Sequence, residues 1–180
     1  VRAAGLPLLV INDTWQLAPW AQWMYACDGR WWDAWHAETK AGFSGERWTQ
    51  DEKAAKRYGL RYIESKARIG LGTDCIHQGR NSGYQAINLA YLWGFRRVYL
   101  LGYDMSAPQG KTHFFGSHSK GNLLDAPSYE QYRDAFDQMR PRDYGLTVIN
   151  CSRHTALESF PREPLENVLS RHSGPAALPA

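Results

Sequence analysis

Two histidines five residues apart, His113 and His118, stand in the stretch Lys111-Thr112-His113-Phe114-Phe115-Gly116-Ser117-His118-Ser119-Lys120, bracketed by Pro108, Gly110 and Gly121. Imidazole titrates near neutrality, so a loop histidine at the mouth of a crevice can take or give a proton. Phe114 and Phe115 can stack on a sugar or a base, or simply pin the loop. Zinc is the rival user of such a pair. However, the spacing is not His-Glu-x-x-His, no cysteine pair accompanies it, and Asp104 would have to be recruited. No metal site is therefore assigned, and a purely structural loop stands beside the acid–base reading.

Three more segments carry chemistry. Gly79-Arg80-Asn81-Ser82-Gly83 leads into a helical pattern. A glycine-bearing turn at a helix start offers backbone N–H groups and the positive end of the dipole, a seat for phosphate or carboxylate. Arg80 adds a fixed positive charge. The spacing is neither that of a Walker loop nor of a dinucleotide fingerprint, and the simpler reading is an N-cap supplied by Ser82. Gly102-Tyr103-Asp104 follows an apolar run; its Asp can hold a ribose hydroxyl or a metal, or close an Asx turn with no ligand. The Trp-rich segment from Asn12 to Trp35 contains Asn12, Asp13, Asp28 and Arg30 as polar points among aromatics. That composition describes a ligand pocket, and equally a core or a subunit interface.

Elements must position these groups. Leu8–Asn12, Trp23–Cys27, Arg97–Leu101 and Leu146–Asn150 are apolar runs bounded by turn residues, as in strands covered on both faces, and Leu60–Glu64 is a weaker fifth. Helices are predicted over Asp51–Tyr58, with acids first and bases last before Gly59, and over Ser82–Trp93, stopping at Gly94. A third is predicted over Ser128–Met139, with Ser128 as cap and Gln131 as its capping-box partner. Strands alternating with helices predict an α/β fold with a mostly parallel sheet. Ligands then lie beyond the carboxyl ends of the strands. Those ends read Asn12-Asp13, Asp28-Gly29, Gly102-Tyr103-Asp104 and Asn150-Cys151-Ser152.

The 180 residues suit one domain, expected over 1–171 with a frayed tail over 172–180. With 43% hydrophobic and 22% charged residues the chain is not disordered. Apolar runs such as Leu8 to Ile11 are far below the roughly 20 residues of a membrane span. A net charge of +3 does not indicate nucleic acid. Three cysteines without paired spacing fit a reduced, cytoplasmic protein. Seven of the eight Trp precede residue 49, which calls for a large core or a homo-oligomeric interface in the N-terminal third.

The run Asn81-Ser82-Gly83 through Leu101-Gly102-Tyr103-Asp104-Met105 resembles the signature of Rossmann-like bacterial sialyltransferases that use CMP-sialic acid. There a Ser-Gly opens a helix of small residues that is followed by a strand and Gly-x-Asp. It is similar as well to the 6-hydroxymethylpterin diphosphokinase-like group. It also resembles proteins of tailed phages and prophages carrying the pattern seen here as Asn12, Asp13, Trp15, then Tyr25-Ala26-Cys27-Asp28 and Trp31-Trp32. The resemblance continues at Gly116-Ser117-His118-Ser119-Lys120 and at Asn150-Cys151-Ser152 with Phe160.

This resemblance implies a Rossmann-like parallel sheet flanked by helices, with His118 as general base for an acceptor hydroxyl. Asn12 and Asp28 would face the donor nucleotide, and Ser82 and Gly83 would contact the donor. The family's Gly-x-Gly-Pro-Ser segment does not occur, so the sheet is expected to lack the family's first strand and its Gly-rich turn. Ser106 stands where a phosphate-holding tyrosine is expected, leaving that charge to Arg80, Lys111 or Lys120.

The expected function is a nucleotide-dependent transferase of phage type, moving a sugar from a nucleotide-linked donor such as a CMP-sugar, with no cofactor required. The Ser82 and Gly83 amides, with Arg80, would hold phosphate. Asn12, Asp28 and Asp104 would orient base, ribose or sugar, Asn81 and His113 would be further substrate- or nucleotide-binding residues, and His118 would take the proton. Two alternatives stand beside it. One is a non-catalytic phage structural, assembly or host-interaction module, associated with a virion or host partner through the Trp-rich third. The other is a Mg²⁺-dependent diphosphokinase-like transferase.

Overall fold

The computed structural model describes residues 2–106 and 129–172. The chain is mixed α/β, with parallel-strand sheets flanked by helices. It divides into two compact units, Pro7–Ser65 and a second made of Val1–Leu6 with Lys66–Ala180.

In the first unit β1 (Leu9–Ile11), β2 (Trp23–Tyr25), β3 (Glu46–Thr49) and β4 (Arg61–Tyr62) form one parallel sheet in the order β1-β2-β3-β4. The register pairs Leu9 with Trp23, Trp23 with Glu46, and Trp48 with Arg61. Parallel neighbours need crossovers, and helices supply two of them: α1 (Gly29–Gly42) and α2 (Glu52–Tyr58). The turn from β1 to β2 is 3-10 helical over Asn12–Leu17. Asp28 caps α1 by accepting from Arg30 N at 2.9 Å, and Asp51 caps α2 by accepting from Ala54 N at 2.8 Å.

The buried stripe of α1 is Trp31, Trp32, Trp35 and Thr39. Trp31 packs edge-on to Trp32 at 5.0 Å between ring centroids and stacks on Trp35 at 6.2 Å, while Trp15 meets Trp35 edge-on. Two of the indole N–H groups are taken up internally: Trp31 Nε1 donates to the buried Asp13 carboxylate at 2.7 Å, and Trp32 Nε1 to Ala26 O at 3.0 Å. The Trp cluster is thus the core of this unit.

Strand β5 (Ser65–Lys66), whose Ser65 is the last residue of the first unit, pairs with β6 (Ile76–His77), and the second unit also holds β7 (Arg97–Leu100) paired in parallel with β8 (Thr147–Asn150). A single parallel bridge from Asn150 to Arg162 extends the second ladder. Its helices are α3 (Ser82–Leu92), α4 (Tyr129–Asp137) and α5 (Leu165–Arg171). Ile76, Tyr84, Ile87, Leu89, Phe136, Met139, Leu146, Leu157 and Val168 are among its fully buried side chains.

The buried polar side chains of α3 tie down the 70–79 loop. The Tyr84 hydroxyl accepts from Gly70 N and donates to Gly70 O, at 2.7 and 2.8 Å. Asn88 Oδ1 accepts from the N–H groups of Gly72 and His77, and its Nδ2 donates to Gly72 O. Gln85 Nε2 donates to Gln78 O.

The predicted runs all contain strands, shorter by one to three residues than expected. The expectation missed α1, α5, β3, β5 and β6. The cap of α3 is Asn81, not Ser82: Asn81 is extended (φ −152, ψ 158) and its Oδ1 accepts from Tyr84 N at 2.9 Å. Ser128 lies outside the described residues. No described helix is long and apolar enough to cross a membrane.

Candidate functional site

In the second unit, β7 and β8 end side by side, with Leu100 opposite Asn150. Gly102 (φ 74) and Met105 (φ 48) both adopt left-handed backbone, turning the chain sharply on either side of Tyr103 and Asp104. This loop is pinned from several directions. Tyr103 N donates to Ser152 Oγ at 2.8 Å, Thr155 Oγ1 to Tyr103 O at 2.6 Å, and Ala156 N to Asp104 O at 2.7 Å. From α4, Arg133 Nη1 donates to Met105 O at 2.9 Å. The fully buried Asn150 organises the facing loop, its Oδ1 accepting from Ser152 N and its Nδ2 donating to Thr155 Oγ1.

The same loop reaches the start of α3. The Tyr103 hydroxyl donates to Gly83 O at 3.0 Å. Burial pushes this phenol far up, so it stays a donor throughout the ordinary pH range. The approach is close: a Cβ on Gly83 would stand 3.0 Å from Tyr103 Cε1 and 3.1 Å from Asn81 Oδ1. Ahead of α3, Gly79 (φ 49) and Arg80 (φ 74) are both left-handed, which swings the Arg80 side chain out to Gln131 Oε1 on α4 at 3.3 Å. Asn81 Nδ2 is buried with no hydrogen-bond partner among the described residues.

The Asp104 carboxyl is half-buried. Burial pushes its pKa up, and nearby His154 acts in the opposite direction. It makes no hydrogen bond or ion pair among the described residues. Beside the loop a cavity of about 570 Å³ opens at the carboxyl ends of β7 and β8, lined among others by Gly102, Asn150, Cys151, Ser152 and Arg162. Arg162 Nη2 donates to the carbonyls of Ser152 and Arg153, at 3.2 and 3.0 Å. Burial, reinforced by Glu163, pushes the Cys151 thiol up, so it is a neutral wall of the cavity. Asp104 does not line this cavity; the two features share the Gly102 turn and Ser152.

Arg80, Asn81, Ser82, Gly83 and Asp104 thus belong to one unit, in which Tyr103, the neighbour of Asp104, bonds Gly83. Asn12 and Asp28 belong to the first unit, at the carboxyl ends of β1 and β2. Asn12 has left-handed backbone (φ 48). Asp28 serves as the α1 cap, with Arg30 Nη2 at 3.4 Å from its second oxygen. His113 and His118 lie outside the described residues, as do Lys111 and Lys120. Sequence reasoning passed over Tyr103, Arg133, Ser152 and Thr155 as supports. Only Tyr103 and Ser152 carried a signal, as residues at strand ends.

Comparison with known proteins finds no match for the chain among protein-family models, curated proteins or solved structures.

Proposed function

We propose that this protein is a nucleotide-dependent transferase of phage type, with a Rossmann-like, sialyltransferase-related fold, acting on a nucleotide-linked sugar. The observation that carries the reading is the Tyr103–Gly83 hydrogen bond, which joins the start of an 11-residue helix to the carboxyl ends of two parallel strands. Open α/β sheets bind ligands beyond those ends, and helix starts favour anions because their first N–H groups lack intrahelical acceptors. In this reading the backbone at Ser82 and Gly83 receives the donor phosphate. Arg80 is exposed and adds positive charge, Asn81 offers an amide, and Asp104 faces a hydroxyl. The resemblance implies His118 as the base. Departure of the phosphate is stabilised by the helix start and the guanidinium, and a catalytic metal is not needed for that step.

The module reading relies on the Trp-rich third as an interface. Trp15, Trp31, Trp32 and Trp35 are buried within the first unit, so Trp20, Trp23 and Trp48, which are partly exposed, would have to carry it.

Thermal unfolding of the full chain with CMP, CDP, UDP, GDP, ADP or ATP, each with and without Mg²⁺, tests the proposal. A ligand held only by the native state adds about 2.7 kcal/mol at a hundredfold excess over its Kd. A shift with one nucleotide names the donor class, and a strict Mg²⁺ requirement moves the reading to diphosphate transfer. No shift with any of them refutes the transferase and leaves the non-catalytic module.

A further inference from the structure

The Asp104 loop is built unlike an ordinary turn. Two residues of left-handed backbone flank it, one of them the non-glycine Met105. The side chains of Ser152, Thr155 and Arg133 and the backbone of Ala156 hold the main chain of residues 103–105, and the Tyr103 hydroxyl fixes it to α3. All of these bonds go to the backbone or to Tyr103. The Asp104 carboxylate, half-buried, has no hydrogen-bond or ion-pair partner among the described residues. A partly desolvated carboxylate without a partner is destabilising, and left-handed backbone at a non-glycine residue is unfavourable too. Such a combination persists where a rigid surround holds a reactive group ready for a ligand.

We propose that Asp104, rather than His118, accepts the proton of the acceptor hydroxyl in the transfer reaction; this rests on the transferase reading above. The acceptor O–H bond breaks and its proton passes to a carboxylate oxygen of Asp104. The acceptor oxygen forms a bond to the donor sugar carbon as that carbon's bond to the phosphate oxygen breaks. The electron pair leaves with the nucleotide, whose charge the α3 start and Arg80 receive. No oxidant or metal enters the balance. Among the described residues the charged and titratable neighbours are His154, Tyr129 and Arg133, the last engaged on Met105 O. Burial raises the carboxyl pKa, which makes Asp104 a stronger base than an exposed aspartate.

Two measurements on full-length wild type, Asp104→Asn and His118→Ala decide it. The first is consumption of CMP-, UDP- and GDP-linked sugars; the second is Tm at pH 7 and pH 3.5. Because burial raises its pKa in the folded state, Asp104 contributes stability below its unfolded pKa and loses it as pH rises through the folded value. The neutral amide should therefore raise Tm at pH 7 by roughly 1–3 °C and leave it unchanged at pH 3.5. Turnover should fall about 10²-fold in Asp104→Asn with donor KM nearly constant, and less in His118→Ala. A Tm lowered at pH 7, or a variant that does not fold, makes the carboxylate a structural acceptor and overturns the proposal, as does unchanged turnover. If wild type consumes no sugar nucleotide, the transferase reading fails, and the Tm comparison still decides whether Asp104 is held unpartnered.

Discussion

Gly79→Ala is expected to be among the most damaging single-methyl changes in the second unit. Gly79 is buried and left-handed (φ 49), and a Cβ there would overlap the Tyr84 ring carbons Cδ1, Cε1 and Cγ. Tyr84 cannot yield easily: it is fully buried, packs on Phe136, and its hydroxyl is engaged at both ends by Gly70. Burial holds the Tyr84 phenol up to about 12, so its donor role survives across the working pH range. Left-handed backbone at a residue with a Cβ costs about 1–2 kcal/mol. Overpacking costs about 1–3 kcal/mol. The total, about 2–5 kcal/mol, lowers Tm by roughly 4–20 °C in a chain of this length. Scanning calorimetry reads the loss. Hydrogen exchange should place the new opening in the 66–92 region, where Arg80 and Asn81 lose their orientation. The overlap term vanishes if the ring is removed, so in a Tyr84→Ala background the same change should cost only the backbone part, about 1–2 kcal/mol. A loss below about 1 kcal/mol in the wild-type background, or strict additivity with Tyr84→Ala, refutes the reasoning.

Asp13→Ala leaves Trp31 Nε1–H buried without this acceptor and should cost about 1–3 kcal/mol by urea denaturation, whereas Asp13→Asn keeps a carbonyl in place and costs less. Asn81→Ala removes the α3 cap, about 1 kcal/mol. Asn81→Asp keeps the cap while placing a negative charge at the proposed phosphate seat, so stability should be retained and nucleotide affinity should fall in a calorimetric titration. Burial, with Arg47 and Lys40 adding to it, lowers the pKa of His36, which stacks on Tyr58 at 4.3 Å. A depressed folded value means full stability above the unfolded pKa near 6.5 and loss as pH falls below it. The urea midpoint should drop from pH 7.5 to pH 5, and His36→Gln should flatten that slope.

The strands that could be read in advance carry apolar runs such as Leu-Leu-Val-Ile and Leu-Thr-Val-Ile; the expectation that both faces are covered does not hold, since β8 alternates exposed or half-buried with buried residues and β4 is exposed at both of its residues. β3 gave no such sign. Its residues, Glu46, Arg47, Trp48 and Thr49, are mostly polar, and it is a strand because β2 and β4 hydrogen-bond to both its edges. The helix α1 was legible in retrospect: Asp28 as a cap, then Trp31, Trp32, Trp35 and Thr39 at helical spacing up to Gly42. Its aromatic richness drew attention to pockets instead of periodicity. β5 and β6 are two residues each, too short for any pattern.

The two strand ends read from the sequence, Gly102–Asp104 and Asn150–Ser152, lie side by side in the fold. The Gly79–Gly83 turn was visible as a helix start. That Tyr103 joins it to the strand ends was not, because the contact spans 20 residues and depends on how α3 packs. The placement of Asp28 as a cap was equally hidden until α1 was recognised.

The distribution of tryptophan has an optical consequence. Seven of the eight indoles belong to the first unit, and Trp93, at the C-cap of α3, is the one in the second. Intrinsic emission therefore reports almost entirely on the first unit, and the close Trp31–Trp32 pair should add an exciton signature to its near-ultraviolet dichroism. A nucleotide settling at the start of α3 would be nearly silent in a quenching titration unless its effect travels the length of that helix to Trp93. Expression with 5-fluorotryptophan labels all eight indoles, and the ¹⁹F line that disappears in Trp93→Phe would turn this blind spot into a reporter of the second unit.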